Sequence, residues 1–388
     1  FELTVPVFWQ TAMIAYCVGV SCVVALLSFR LADRTNRGPL LPILSAIPAF
    51  QFVTVSLIAI LPSHEHLGQR DSGARRSAID VVQGLFAGVI LIVLAVLISA
   101  VTFGAYGWGL FVVIPFMVGL TTGYIVNRHA DRGKRDTVWL GLYAALLGAL
   151  ALIGFALEGL VCIILAGPLA APLVIAGSLL GRFLAIARSR RRSPLGAVAA
   201  LRMIFMAEAA VPPEAPIGTH YEIEIAASPK EVWEVLVDED AIEVAPGFPA
   251  WAGLAYPIRS KLAGQEIGAT RTGTFSTGKA TEEVTVWQPR QALAFRSISH
   301  PPAMEEMSPY RRVHAPHVHG YFETGETRFD LIRLSPQRTR LKITSEHVLR
   351  IDPIPYWEPI ARLAIRENVS RVLRDIKTKA ERASLAKP

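Results

Sequence analysis

The feature that most constrains the fold of this chain is a series of six long apolar runs in its first half. An α-helix rises 1.5 Å per residue, so that about 20 residues cross a hydrocarbon core of about 30 Å. The runs are residues 8–29, 40–61, 79–103, 108–126, 138–157 and 160–185, each 19 to 26 residues long. No Lys or Arg interrupts them before Arg182, so none has a polar face to present to water. The sequence therefore predicts a transmembrane domain of about six helices over residues 1–185.

The number of membrane spans stays open between six and five. The loop after the first run carries Arg30, Arg34 and Arg37, yet a six-span topology puts this loop outside, against the tendency of basic loops to stay in the cytoplasm. Pro42 and Pro48 remove helical hydrogen bonds from the second run, so this run could instead be a re-entrant hairpin. We favour six spans, because prolines are tolerated within membrane helices.

The positive charge of the chain lies mostly beside the apolar runs. The net charge is +7; residues 1–217 carry 16 Lys/Arg and 10 Asp/Glu, and residues 218–388 carry 23 and 22. Basic residues cluster in segments 62–78, 127–137 and 188–192, whereas the two loops that alternate with these segments have none. This pattern predicts a cell (inner) membrane protein whose second half is cytoplasmic. Without a basic stripe in the nearly neutral second half, we expect no nucleic-acid binding.

The apolar runs hold few polar groups of the kind that transporters and channels use. Asp80 lies at the edge of a run, Glu158 lies in a tight turn, and Gln51 and Gln83 are the only sizeable polar side chains within the runs. We expect such residues to cap helices or to reach the membrane interface. The small residues between 167 and 181 indicate close helix packing rather than a pore.

A second domain is predicted over residues 218–388, after a basic, proline-containing linker at 186–217. Residues 220–226 alternate between polar and apolar, as a half-buried strand requires. The following Ser-Pro-Lys-Glu sequence, 228–231, has the residues of a capping box, with a proline suited to the first helical turn. A helix is therefore predicted to begin there.

The rest of the second half predicts an antiparallel meander closed by a helix. Five further strands are predicted at 270–276, 281–287, 292–299, 320–334 and 340–349, separated by turn signals. In the last strand, alternate residues from Leu341 to His347 share a dry face. Apolar residues then recur at three and four residues over 356–382. These elements predict an α+β domain in which a curved antiparallel sheet grips a long C-terminal helix.

Two segments of this half resemble a known superfamily. YEIEIAASPKEVWEVLVD (221–238) and GTFSTGKATEEVTVWQPRQALAFRS (273–297), together with the terminal helix, resemble the START-like, helix-grip superfamily also called SRPBCC or polyketide cyclase/dehydrase. The resemblance covers residues 218–385. The segment ALEGLVCIILAGPLAAPL (156–173) resembles the apolar half of bacterial proteins that join several spans to such a domain. The resemblance implies a cavity between sheet and final helix that binds lipids, sterols, polyketides or quinones.

The implied cavity gives a set of candidate ligand contacts on the dry face. They are Phe275, Phe295, Phe329, Leu331, Ile343 and His347. The alternative is that these residues fill an ordinary core without a ligand. His347 cannot form a catalytic dyad with Glu346, because neighbouring strand residues face opposite sides, and a hydrogen-bonded core histidine is the alternative role for it. Arg271, Glu283 and Arg296 could pair across neighbouring strands.

The sequence offers one weak candidate for a metal site. His314, His317 and His319 lie close together, and the last two would point the same way on a strand. Glu323 and Glu326 follow, but three histidines in a polar loop more often face water, so we predict no metal. No phosphate loop, nucleophile elbow or dinucleotide fingerprint occurs in the sequence. We therefore predict no cofactor and name no catalytic residue.

The sequence is compatible with three functions. The first hypothesis is a membrane-anchored protein that takes a lipid or other hydrophobic small molecule from the bilayer into the cytoplasmic cavity. The second is a cyclase or hydratase acting on such a molecule, and the third is a ligand-free structural or partner-binding protein. Tethering favours the first, because a ligand dissolved in the bilayer is concentrated beside the cavity. The sequence predicts neither a protein partner nor an oligomeric state.

Overall fold

The computed structural model describes residues 71–386, except 103, 105, 188–207, 209, 212 and 309–318. The predicted runs 8–29 and 40–61 lie outside the described residues. The chain divides into two compact units, one built mainly of long helices and the other of a sheet with its helices. Each unit is described by itself.

Within its described residues, the helical unit contains four long apolar helices. They are α1 (Asp71–Val96, continued by a π-helical turn Leu97–Thr102), α2 (Ile114–Asn127, preceded by a π-helical turn Gly109–Val113), α3 (Lys134–Gly154) and α4 (Leu160–Ile186). Four segments are long and apolar enough to cross a membrane: Arg76–Ala100, Gly109–Asn127, Lys134–Gly154 and Leu160–Ile186. These segments overlap the last four predicted runs and identify a membrane-type region.

Helices α2 and α4 pack closely through two glycine pairs spaced four residues apart. Gly119 and Gly123 on α2 face α4, and Gly177 and Gly181 on α4 face α2. A Cβ atom at any of these positions would overlap backbone atoms of the opposite helix. This small-xxx-small arrangement lets two membrane helices approach closely. Gly167, which the sequence grouped with these packing residues, instead faces open space.

A buried polar cluster lies at the end of α2. Asp80 on α1 is 1% exposed; its carboxylate accepts hydrogen bonds from Arg128 Nε at 2.8 Å and contacts His129 Nδ1 at 2.9 Å. Arg128 also donates to the Gln83 side chain. Asp80 and Glu158 are both buried within the protein, and their position at the membrane interface stays a prediction. The basic residues that follow α2 fold back onto α1 and compensate the charge of Asp80.

The second unit is built on a seven-stranded antiparallel sheet. Its strands are β1 (Ala215–Ile225), β2 (Pro257–Leu262), β3 (Thr270–Phe275), β4 (Gly278–Gln288), β5 (Ala292–Ser299), β6 (Phe322–Ser335) and β7 (Arg338–Leu349), in the order β1-β7-β6-β5-β4-β3-β2. The helices are α5 (Pro229–Val237), α6 (Phe248–Trp251) and α7 (Ile354–Leu385). The sheet curls into a half-barrel, and the predicted helix-grip architecture is confirmed.

The two largest differences from the predicted strands lie at the edges of the sheet. Strand β1 begins at Ala215 and includes Pro216, which the sequence placed in the linker. A proline is tolerated there because β1 is an edge strand, where a missing N–H need not cost a ladder bond. Strand β2, at the other edge, was not predicted, because Pro257–Leu262 is short and carries only a weak alternation of apolar residues.

Helix α5 begins as the sequence predicts. Ser228 is the N-cap: its side chain accepts from the Glu231 N–H, and the Glu231 carboxylate accepts from the Ser228 N–H at 2.9 Å. This reciprocal capping box satisfies two donors that the first helical turn would otherwise leave free. The helix then packs against α7 and against β6 and β7.

Helix α7 holds the connecting segment before β2 through two buried charged residues. Arg371 donates to the carbonyl oxygens of Val244 at 2.6 Å and Pro257 at 2.5 Å. Asp375 accepts from the Val244 N–H at 3.2 Å. Both side chains are buried. A charged residue can be buried here because backbone groups of the segment satisfy its hydrogen bonds.

Candidate functional site

The candidate site is the inner face of the sheet, on which α5 and α7 pack. Directly opposite residues in antiparallel strands point to the same side, so the strand register defines this face. Ile217 on β1 lies opposite His347 on β7, and His347 lies opposite Thr324 on β6. On β1 the inner residue Ile217 is fully buried, while its neighbour Gly218 is exposed. The inner face is therefore the side that the helices cover.

The six predicted ligand contacts all lie on this inner face. Phe295, Phe329, Leu331, Ile343 and His347 are buried, and Phe275 is half-buried. The rings of Phe295 and Phe329 are 6.3 Å apart between centroids, and Phe329 lies opposite Ile343. The structure thus brings the set together on one apolar surface, and the role of these residues as ligand contacts stays a prediction.

The inner face also carries an ion pair, formed by Arg271 on β3 and Glu282 on β4. The two residues lie directly opposite each other, and Arg271 Nη1 donates to Glu282 Oε2. The Glu282 side chain is 5% exposed and that of Arg271 is 18% exposed. Removing such charges from water costs several kcal/mol per ion before their attraction is counted. The pair therefore places two charges among mostly apolar side chains, at a cost that their hydrogen bond and mutual attraction must offset.

The sequence suggested a different partner for Arg271. Arg271 does not face Glu283. In the β3–β4 pair Glu283 lies opposite Thr270, the residue before Arg271, and in the β4–β5 pair it lies opposite Arg296. A register irregularity between Thr281 and Glu282 lies next to this position. Because the side-chain period of a strand is two, a shift of one residue moves the carboxylate to the other face. Strand register is set by pairing in the folded sheet, and this site was missed for that reason.

Polar side chains also occur at the β6–β7 side of the inner face. The hydroxyl groups of Thr327 and Ser345 lie 3.0 Å apart and are buried. Thr324 Oγ1 lies 3.1 Å from His347 Nδ1. A register irregularity between Thr324 and Thr327 allows both threonines to face inward. Two polar pairs therefore interrupt the apolar surface beside α7.

His347 is the titratable group buried on this side. Its ring stacks on Phe322 with centroids 5.4 Å apart, and Nε2 has no hydrogen-bond partner within the part of the chain that the structure describes. Burial lowers the pKa of His347 from its ordinary 6.5 to about 4. The ring is therefore neutral at pH 7, and one nitrogen is left for a hydrogen bond that the described residues do not supply.

The structure describes only one of the three histidines of the candidate metal site. His314 and His317 lie outside the described residues, and His319 is exposed. Glu323 accepts from Arg350 at 2.6 Å, and Glu326 accepts from the Thr285 hydroxyl at 3.0 Å. Among the described residues, no group of three His, Cys, Asp or Glu side chains has the geometry to hold a metal ion.

Comparison with known proteins gives structural neighbours only. No family model and no curated protein matches the sequence. Among solved structures, Zhui aromatase/cyclase from Streptomyces sp. R1128 is 15% identical and covers 43% of this chain and 95% of its own, with a TM-score of 0.31. Norcoclaurine synthase from Thalictrum flavum is 12% identical; the match covers 44% of this chain and 98% of the synthase, with a TM-score of 0.30. The Aha1 dimer from Colwellia psychrerythraea is 16% identical; the match covers 42% of this chain and 96% of the Aha1 chain, with a TM-score of 0.27.

Proposed function

We propose that this chain is a membrane-anchored protein that binds an apolar small molecule or lipid on the inner face of its helix-grip domain. The observation that carries the proposal is the Arg271–Glu282 ion pair on a face lined mainly by Phe and aliphatic residues. The other polar groups of this face are the two pairs beside α7 described above. Binding pockets for small molecules have this composition, with many apolar contacts and a few polar groups that fix orientation.

The charges of the pair indicate what kind of polar group the ligand carries. Arg271 offers donors and Glu282 offers acceptors, and their charges cancel. A neutral hydroxyl group can accept from the guanidinium and donate to the carboxylate at the same time. A carboxylate on the ligand would instead be repelled by the negative charge of Glu282, and water would screen this repulsion poorly because Glu282 is buried. We therefore propose an apolar ligand with a hydroxyl or similar neutral polar group.

The membrane anchor supports the same function. Among the described residues, four helices are long and apolar enough to cross a membrane, and an apolar ligand partitions into the bilayer. From the basic loops we propose that the anchor lies in the cell membrane with the helix-grip domain in the cytoplasm. Impermeant thiol labelling of single cysteines in intact cells tests this orientation: a cysteine at exposed Glu346 should react only after lysis.

Site-specific photocrosslinking in the full chain tests the binding function. A benzophenone amino acid at Phe275, half-buried on the inner face, should crosslink the ligand in cells, and mass spectrometry of the peptide gives the adduct mass. The matched control is the same amino acid at Ile332, which is 44% exposed on the outer face of β6. A discrete small-molecule adduct at 275 that is absent at 332 supports the proposal. No adduct at 275, or the same lipids at both positions, contradicts it.

An enzyme of cyclase or hydratase type is the alternative function. It shares the binding site and differs in what happens to the molecule there. Ligand captured in the Glu282→Gln variant would have the same mass as in the wild type if the domain only binds. A substrate that accumulates in the variant, with a mass different from the wild-type adduct, would instead indicate turnover.

A further inference from the structure

The short helix α6 exposes two large aromatic side chains. Phe248 is 80% exposed and Trp251 is 70% exposed. The two are three residues apart, so they lie on one side of the helix. Pro249, between them, is buried and packs the opposite side against the domain. The helix thus has a buried side and an aromatic side that faces outward.

The segment that carries these aromatics is fastened to the domain. The Gly253 carbonyl accepts from the Glu305 N–H at 2.7 Å, and Ala255 N–H donates to the Ala303 carbonyl at 3.0 Å. From α7, Asn368 Nδ2 donates to the Ala255 carbonyl at 2.8 Å. Phe248 and Trp251 are therefore presented by a fixed backbone, which reduces the entropy that docking would cost.

Helix α7 passes close to the start of α6. The Glu367 carboxylate lies beside Gly247, and Leu363, four residues earlier on α7, is 53% exposed. We call Phe248 and Trp251 the aromatic patch. Exposed apolar side chains grouped in this way mark an interaction surface more often than single ones do.

We propose that the aromatic patch inserts into the surface of the lipid bilayer that holds the helical unit. The 28 residues from 187 to 214 join α4 to β1, and a chain of that length spans at most about 100 Å in any conformation. The bilayer is thus always within reach, and tethering gives it a high effective concentration. Trp favours the interface between headgroups and hydrocarbon, where its apolar ring and its indole N–H are both satisfied, and Phe adds apolar area that the acyl boundary can bury.

The patch lies near one end of the inner face. Tyr256 follows Trp251 by five residues. Its backbone carbonyl accepts from the Ser276 N–H at 3.0 Å, and its backbone N–H donates to Ser276 Oγ at 3.2 Å. Pro257 lies opposite Phe275 in the β2–β3 pair. Docking of the patch would bring the bilayer next to Phe275, but the docking itself does not depend on a ligand.

Fluorescence quenching in the full chain tests this inference. Cys17, Cys22 and Cys162 are replaced by Ser, and Trp251→Cys is labelled with an environment-sensitive NBD probe in phosphatidylcholine nanodiscs. Nitroxide lipids should quench the probe at 251 several-fold more than a probe at Ile298→Cys, an apolar position that is 63% exposed on β5. Because the contact is apolar, quenching should persist at high salt. The Phe248→Cys label should behave as the one at 251.

Either of two other results would overturn the inference. Equal weak quenching at 251 and 298, with both probes open to water-soluble quenchers, means that the patch stays in water. Shielding from water-soluble quenchers without lipid quenching means that a second copy or another protein covers it. Since the labelled positions are exposed, the substitutions leave the packed core unchanged.

Discussion

Arg271 places its guanidinium carbon 4.0 Å from the centre of the Phe295 ring, while the same guanidinium donates to Glu282. The cation thus contacts both an aromatic face and a carboxylate on the inner side of the sheet. This arrangement fixes the orientation of the guanidinium on a surface where few groups can bind it. It also makes the pair testable, because either charge can be removed alone or together with the other.

The first prediction concerns the stability of this pair. Arg271→Leu leaves the Glu282 carboxylate buried without its partner, and we expect a loss of about 3 kcal/mol in the free energy of unfolding. The double variant Arg271→Leu/Glu282→Leu should recover most of this loss, because no charge stays buried. Denaturant unfolding of the full chain, followed by tryptophan fluorescence, measures both.

The control for this cycle is an ion pair on the outer face. Arg340 donates to Glu224 at 2.8 Å, and both side chains face solvent. Arg340→Leu should leave the free energy of unfolding nearly unchanged, because water solvates the remaining carboxylate. Equal losses for Arg271→Leu and Arg340→Leu would contradict the prediction that burial is what makes the inner pair sensitive.

The second prediction concerns pH. Burial lowers the pKa of His347 in the folded chain to about 4, below its ordinary 6.5. The folded state therefore binds the proton less well than the unfolded state, and the stability due to neutral His347 is complete above pH 6.5. It is lost as the pH falls from about 6.5 to 4, by about 3 kcal/mol in all. Unfolding curves across this range should show a steeper decline for the wild type than for His347→Gln.

This comparison separates His347 from the carboxylates, which titrate in both proteins and contribute equally to the decline. The His347→Gln variant keeps a side chain that can hydrogen bond to Thr324. Parallel pH profiles for the two proteins would show that His347 does not titrate with a lowered pKa.

The third prediction concerns the packing of α2 against α4. Gly177→Leu places a side chain where the backbone of α2 now lies, and we expect it to lower the stability of the helical unit by about 3 kcal/mol or to separate the two helices. Gly167→Leu on the same helix is the matched control, since its Cβ would face open space. Resistance to detergent unfolding should fall for the first variant and not for the second.

The fourth prediction concerns the start of α5. Ser228→Ala removes the side chain that accepts from the Glu231 N–H, at a cost of about 1 kcal/mol in the free energy of unfolding. Ser228→Asp keeps an acceptor at the N-cap and should retain most of the stability. If both substitutions cost the same, the capping box does not contribute as described.

Much of the helix-grip fold could be predicted from local patterns. The capping box at Ser228 is encoded within four residues, and β5 begins and ends at the predicted residues, Ala292 and Ser299. The inner face of β7 was also predicted, because its alternation is unbroken from Leu341 to His347. Each of these features depends on residues close in sequence, where periodicity and caps are reliable signals.

The features that were missed depend on contacts between distant residues. Arg371 on α7 can be buried because the carbonyl groups of Val244 and Pro257, distant in the sequence, accept its hydrogen bonds. No partner for Asp80 was predicted from the sequence, and it can be buried because Arg128 and His129 return to it from the end of α2. No pattern within one helix shows that such partners are present.

By itself the sequence determined that the chain has long apolar helices and an α+β second half, because helix length, hydropathy and strand alternation are local properties. Only the tertiary structure decided that Arg271 meets Glu282 rather than Glu283. The two glutamates are neighbours in the sequence, and they lie on opposite faces of the sheet because register is fixed by pairing between strands. The apolar part of the candidate site could thus be predicted from one strand at a time, and its charged part required the assembled sheet.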